Sequence, residues 1–389
     1  MSKLQELIKE LCPDGVKFWK LGECLYSIKT GLNPRRFFVL NSPDAQNFYV
    51  TIREIKGGNL VFTEKTDRIN DEALGLCNNR SDLEIDDVLF SGTGTIGETY
   101  VIETTPHNWN IKEGVYSLKP KKDVLIPKYL KYILDSRDIK DKYLAMAEGG
   151  TVKSVSMKLL ASLEIPLPPL EVQNEIVRIL DTFTSHAAEL QAELQARKEQ
   201  YEYYRNKLLT FDENDERVKW MKLGEIGNVC SGKNRDKNPI GTYPVYGSTG
   251  IIAYTENYSY CDERILIARV GANAGYTHVA FGKYDVSDNT LIVDLKEGVN
   301  LKYVYYTLVN LNLNKYAKGG GQPLITAGEI KTIQIPIPPL SEQQRIVSIL
   351  DKFESLVNDL TAGLPAEIAA VQEQYEYYRN KLLTFERKS

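Results

Sequence analysis

Cysteine and histidine are scarce. Five cysteines, Cys12, Cys24, Cys77, Cys230 and Cys261, stand far apart with no C-x-x-C pair, and the three histidines are His107, His186 and His278. An odd, scattered set of thiols offers neither a disulfide framework nor zinc-ligand spacing, and it suits a reducing cytoplasm. Each histidine, being alone, reads as a structural residue. No run of about 18 apolar residues occurs, so the sequence offers no membrane-spanning helix. The opening MSKLQELIKELCPDG reads as a short amphipathic helix without the apolar stretch of a signal peptide. Excess positive charge is absent too. A net charge of −4 argues against wholesale attraction to nucleic acid, although acidic helical faces leave room for local basic clusters.

Catalytic signatures are equally thin. There is no P-loop, no H-E-x-x-H, no G-x-S-x-G and no tight acidic cluster of the kind a nuclease uses for divalent metal. The acidic RSDLEIDD (80–87) leads into a strand-like run and reads as a turn. VLFSGTGTIG (88–97) places Gly92, Gly94 and Gly97 in a G-x-G-x-x-G pattern that looks like a dinucleotide or S-adenosylmethionine loop. Both of those loops need a helix next, whose N-terminus meets the ligand. The following ETYVIETTPHNW instead alternates and is rich in β-formers, which predicts strand, glycine turn, strand. RILIARVGANAGYTHVAF (264–281) gives the same reading. No [DN]-P-P-[FYW] tetrapeptide, which N6-adenine methyltransferases use against a flipped base, appears, since PLPPL and PIPPL lack the leading Asp or Asn.

What the chain does have is itself, twice. EQYEYYRNKLLTF stands at 199–211 and again at 373–385; IPLPPLEVQNEIVRILDTF (165–183) is answered by IPIPPLSEQQRIVSILDKF (335–353), and VKFWKLGE (16–23) by VKWMKLGE (218–225). The blocks keep their order, while NPRRFFVLNSPDAQNFYVTIREI and NPIGTYPVYGSTGIIAYTENYSY between them have no visible likeness. The chain is a duplicated unit, each copy a divergent segment followed by a preserved helical one. This predicts an α+β protein with a first mixed α/β domain over 1–164, a central helical repeat over 165–212, a second mixed domain over 213–334 and a distal repeat over 335–389.

Between Leu170 and Phe211 there is neither glycine nor proline, and Pro166, Pro168 and Pro169 sit just before, where proline permits a helix to start. Apolar residues recur at Ile176, Leu180, Phe183, Ala187, Leu190 and Leu194 and resume at Tyr201, Tyr204 and Leu208, with Arg197 out of character between them. Alternating steps of four and three make a heptad seam, and at about 1.5 Å per residue the helix would run roughly 60 Å. The second copy places Ile346, Leu350, Phe353, Val357, Leu360, Leu364, Ile368, Val371, Tyr375, Tyr378 and Leu382 on its seam. Two fours in succession form a stutter at AGLP, where Gly363 and Pro365 predict a break. The partner expected for each seam is the other copy, paired antiparallel with an approximate twofold axis inside one chain. Such a molecule carries two unlike heads suited to an asymmetric bipartite DNA target.

Basic residues gather at matching places. KTGLNPRR supplies Lys29, Arg35 and Arg36, and SGKNRDK supplies Lys233, Arg235 and Lys237. Each cluster is a DNA-contact candidate or a solvated loop. On the glycine hairpins, Thr93, Thr95, Arg269 and Asn273 offer donors where backbone can approach a duplex. AEGGTVKSVSM (147–157) and AKGGGQPLITA (317–327) add Lys153, Lys318 and Gln322, with a plain connecting loop as the other reading. Tyr203, Arg205, Tyr377 and Arg379 fall off the seam in both repeats, as expected for twin partner-docking sites or for ordinary solvated positions.

The paired IPLPPLEVQNEIVRILD and IPIPPLSEQQRIVSILD, each preceded by a GG loop and followed by a helix ending QYEYYRNKLL, resemble the specificity subunits of type I restriction–modification systems over nearly the whole chain. The resemblance implies two target-recognition domains, each reading half of a split sequence in double-stranded DNA, and helical repeats that set the gap and dock two modification subunits. It implies no catalysis or cofactor in this chain. S-adenosylmethionine for adenine N6 methylation is expected on the modification subunits, and ATP and Mg on added restriction subunits. A fused nuclease–methylase partner, a self-contained methyltransferase and a DNA-free scaffold are the alternatives.

Overall fold

A computed structural model describes residues 3–149, 152–233, 241–359 and 362–388. The chain divides into two compact units, Met1–Glu189 with Ala369–Ser389, and Leu190–Ile368. The mixed α+β class expected from the duplication is what both units contain.

Each unit is built on a four-stranded antiparallel sheet with the same crossover. In unit 1 the order is Leu25–Thr30, Val115–Pro120, Val88–Ser91, Thr99–Val101. In unit 2 it is Gly227–Ser231, Thr290–Leu295, Arg264–Ala268, Thr277–Ala280. A smaller three-stranded sheet with one parallel pair accompanies each: Asn47–Val50 beside Trp109–Ile111 in unit 1, and Tyr243–Gly247 beside Asp285–Val286 in unit 2. The matched VKFWKLGE and VKWMKLGE blocks supply edge strands, Phe18–Lys20 and Lys219–Lys222. These pair with Glu164–Pro166 and Gln334–Ile337, the entries to the two repeats. Unit 1 alone adds the helix Asp71–Ser81 and the short pair Ile55–Lys56 with Asn59–Leu60.

The preserved P-P-L-x-x-Q sequence has a physical reason. Gln173 is fully buried at the start of its helix, accepting from the Ile126 amide (3.0 Å) and donating to the Val124 and Pro168 carbonyls (both 2.8 Å). Gln343 repeats this, accepting from the Asn300 amide (2.9 Å) and donating to the Pro338 carbonyl (2.8 Å). One amide side chain thus satisfies backbone groups that would be costly to bury alone.

The expected long helix runs Leu170–Leu209, and the second copy is broken where Gly363 and Pro365 predicted it, into Leu340–Asn358 and Leu364–Leu382. Seam residues Ile176, Leu180, Leu190, Tyr201, Ile346, Leu350, Val357 and Val371 are buried, whereas Leu360 lies outside the described residues. Each unit draws a helix segment from the other repeat. In unit 1, Phe183 stacks on Tyr378 (5.4 Å), and Leu383 joins the core of Val172, Ile176 and Leu180. Moving back from Phe183 to Glu164 moves forward from Tyr378 to Arg387, which pairs with Glu164, so the two segments run antiparallel. In unit 2, Tyr204 stacks on Phe353 (5.6 Å), and Leu209 joins the core of Ile346 and Leu350.

Candidate nucleic-acid interface

The glycine hairpins and the GG loops come together in both units, zipped by backbone. In unit 1 the Gly94 amide donates to the Lys153 carbonyl (3.1 Å) and the Val155 amide to the Gly92 carbonyl (2.9 Å). In unit 2 the Gly271 amide donates to the Pro323 carbonyl and the Ile325 amide to the Arg269 carbonyl (both 2.9 Å). Gly94 and Gly271 share the left-handed backbone, φ 80° and 81°, that side chains disfavour. Strands follow the hairpins, Thr99–Val101 and Thr277–Ala280, so no helix N-terminus faces either glycine loop. The candidates Thr93, Thr95 and Lys153 are thereby gathered on one exposed rim of unit 1, and Arg269, Asn273, Lys318 and Gln322 on the corresponding rim of unit 2.

Their chemical states differ. Thr93, Thr95, Lys153, Asn273 and Gln322 are exposed, while Arg269 is half-buried and donates from Nη1 to the Asp288 carbonyl (3.3 Å). Lys318 is committed to Glu329 (2.7 Å), and its hydrogen bond, with those from Thr326, holds that carboxyl down at about 2. Lys29 is likewise committed, to Asp82 (2.7 Å), whose pKa it lowers.

Arg35 and Arg36 have no ion-pair partner among the described residues and are exposed on a four-residue helical turn, Pro34–Phe37. That turn is held stiffly: Pro34 occupies its first position, the Asn33 side chain accepts from the Arg35 amide (3.1 Å), and Phe38 packs edge-on against buried Tyr49. The turn also presents Phe37 and Val39, 54% and 74% exposed, which the sequence reading passed over. Their signal was the FFV run itself, in which Phe38 is the anchor and its neighbours are free. Lys233 is exposed, its amide donating to the Val286 carbonyl (3.0 Å), and Arg235 and Lys237 lie outside the described residues.

The EYYRNK blocks have the same local geometry in each unit. Tyr203 and Tyr377 are 60% and 58% exposed, with Lys207 and Lys381 over their rings at 5.8 and 5.4 Å. Arg205 and Arg379 instead turn inward over Tyr201 and Tyr375, at 5.1 and 5.2 Å. Arg205 also donates to the Asn310 side chain (3.3 Å).

The profile of the type I restriction modification DNA specificity domain matches residues 15–200 and again residues 216–370. The chain is similar to the EcoR124I/EcoR124II specificity subunit of a type I restriction enzyme from Escherichia coli, 37% identical over 57% of this chain and 63% of the relative. It is also similar to the Escherichia coli EcoprrI specificity subunit, 33% identical over 70% of this chain and 72% of that one. Among solved structures, a chain from work on complex assembly and conformational transition of the type I R-M system superposes with a TM-score of 0.64 at 20% identity. That match covers 95% of this chain and 98% of the other, and it shows a shared fold.

Proposed function

We propose that this chain, which belongs to the type I restriction–modification DNA specificity family, is the sequence-reading subunit of a modification and restriction complex acting on DNA in the cytoplasm. Unit 1 and unit 2 each read one half of an asymmetric, interrupted target in double-stranded DNA. The helical repeats set the interval between the halves and dock two modification subunits through the twin Tyr203 and Tyr377 surfaces. Restriction subunits join the same assembly. The chain supplies specificity and no bond-making step. S-adenosylmethionine belongs to the modification subunits, which extrude and methylate the adenine, and ATP and Mg to the restriction subunits.

One observation carries the reading: an identical backbone frame, two zipped glycine loops, is presented twice with different side chains. A frame that repeats while its side chains change suits two readers of different base sequences, since base edges carry the sequence information and phosphate contacts only position the protein. Genome-wide mapping of methylated adenines with and without the gene tests it. Exchanging residues 213–334 for the corresponding segment of another specificity subunit should alter one half of the methylated motif and leave the other intact. A motif unchanged by the exchange, or changed in both halves, defeats the assignment.

A further inference from the structure

Beside its glycine loop, unit 2 carries side chains that unit 1 replaces position by position. Backbone hydrogen bonds fix the correspondence. Ser287 donates to the Tyr246 carbonyl (2.9 Å) as Lys112 does to Val50 (2.8 Å), and Thr290 to Ser287 (3.2 Å) as Val115 does to Lys112 (3.1 Å). Arg269 donates to Asn289 (2.9 Å) as Gly92 does to Gly114 (2.8 Å), and Leu266 faces His278 as Leu89 faces Tyr100. In unit 1 these positions close into an apolar cluster, with Val50, Leu89 and Val115 buried against Ile55 and Trp109 and Tyr100 packed alongside.

Unit 2 puts polar groups there. The His278 ring lies between Tyr246 (centroids 5.4 Å) and Tyr276 (5.8 Å, stacked), and Tyr276 is 59% exposed. Both His278 ring nitrogens, Arg269 Nε and the hydroxyls of Ser287 and Thr290 are buried without a hydrogen-bond partner among the described residues. Ser287 and Thr290 are 7% and 0% exposed. Buried polar groups are nearly always paired, because each forfeits a hydrogen bond it had in water. Five such atoms in one place, where the sister unit uses valine, glycine and tyrosine, mark a surface built for a ligand and not for stability. Burial holds the imidazole in its neutral form, lowering its pKa, so the ring offers one donor and one acceptor. The Arg269 and His278 side chains are only part-buried, and exposed Lys233 hydrogen-bonds at Val286, next to Ser287.

We propose that Arg269 and His278 read the major-groove edge of a purine in the half-site of unit 2, above the Ser287 and Thr290 hydroxyls and against the Tyr276 ring. This rests on the DNA-reading function proposed above. A purine presents N7 as an acceptor there, with an amino donor in adenine or a carbonyl acceptor in guanine, which matches an imidazole beside a guanidinium.

The test uses the full chain with its modification subunits and duplexes carrying the methylated target. Each purine of the unit 2 half-site is replaced in turn by its 7-deaza analogue, which lacks the N7 acceptor. Wild-type complex should lose roughly tenfold in affinity at one such position. His278→Ala should be indifferent to that replacement while keeping full discrimination in the other half-site. Thr290→Val installs the unit 1 residue without disturbing the backbone, and it should blunt the same discrimination. Identical analogue profiles for wild type and both variants overturn the proposal, as does a Thr290→Val protein that is merely more heat-stable. Wild-type complex that cannot tell its target from a shuffled duplex overturns the proposed function itself, a separable result.

Discussion

The Val16 amide donates to the Glu386 carbonyl at 2.8 Å, and the Lys388 amide returns a bond to the Val16 carbonyl at 3.0 Å. Two residues nearly a whole chain apart thus share a bridge inside unit 1, reinforced by Arg387 with Glu164 and by Lys388 with Asp14 (3.5 Å). Unit 2 makes the equivalent junction through the chain itself, helix Leu170–Leu209 running on through exposed residues to strand Lys219–Lys222. The pairing of Gly15, at φ 90° and crowded by Glu386 to Lys388, leaves no room for a side chain. Joining residue 388 to residue 14 by a short linker and opening the chain between Asp212 and Glu216 should therefore give a folded protein that binds the same target. Gly15→Ala should lower the melting temperature of unit 1. Failure of the rejoined chain to fold, with Gly15→Ala neutral, would show the bridge to be incidental.

Arg35 and Arg36 are the basic pair in unit 1 that no carboxylate holds, whereas Lys29 is spent on Asp82. Replacing both arginines by alanine should weaken DNA binding and reduce the slope of log affinity against log salt by up to about 2, at roughly 0.9 per phosphate contact. Lys29→Ala should leave that slope close to its wild-type value. Fluorescence anisotropy at several salt concentrations measures both. Unchanged affinity and slope in the double variant would remove the turn from the interface.

Much of this architecture was legible because its causes are local or periodic. The heptad seam, the break at Gly363 and Pro365, and the strand after each glycine loop follow from spacing and turn chemistry, and the structure has all three. The zipping of Gly94 to Lys153 and of Gly271 to Pro323 was not legible, because backbone bridges leave no side-chain signature. Nor was the commitment of Lys29 to Asp82 and of Lys318 to Glu329. A basic residue looks free in a sequence until the fold brings a carboxylate to it. His278 read as a structural histidine on its own, and its unpaired nitrogens emerge only when Thr290 and Ser287 are brought beside it by strand register.

The two EYYRNK blocks separate a surface role from a packing role. Tyr203 and Tyr377 are exposed, whereas Arg205 and Arg379 cover Tyr201 and Tyr375. Tyr203→Ala should leave the melting temperature within about 1 °C of wild type, as surface changes cost little, yet reduce a complex holding two modification subunits to one. Adding Tyr377→Ala should abolish docking. Arg205→Ala should instead destabilise unit 2, having lost its contact with Tyr201 and its bond to Asn310. Mass photometry gives the stoichiometry and calorimetry the stability; full assembly by the double tyrosine variant would clear these rings of any docking role.

Glu175 ties the first helix to the first repeat. Its side chain is 3% exposed and is held by Arg178 (2.6 Å) and by Lys3 (3.1 Å) from helix Lys3–Leu11. The hydrogen bonds from Arg178 and then Lys3 outweigh the effect of burial and pull its pKa down to about 2, from an ordinary value near 4.5. A carboxyl depressed by folding contributes its stability above its unfolded pKa and loses it as pH falls through the folded one. Glu175 should thus support unit 1 fully above about pH 4.5 and progressively fail between there and about pH 2. Glu175→Gln should remove that acid-dependent component, so its stability falls less steeply across the same window, and amide exchange in helix Lys3–Leu11 should quicken already at neutral pH. If the variant and wild type showed parallel acid profiles and equal exchange, the carboxylate would be a bystander, and the helix would be held by Leu4 and the apolar contacts of Leu7 and Ile8 alone.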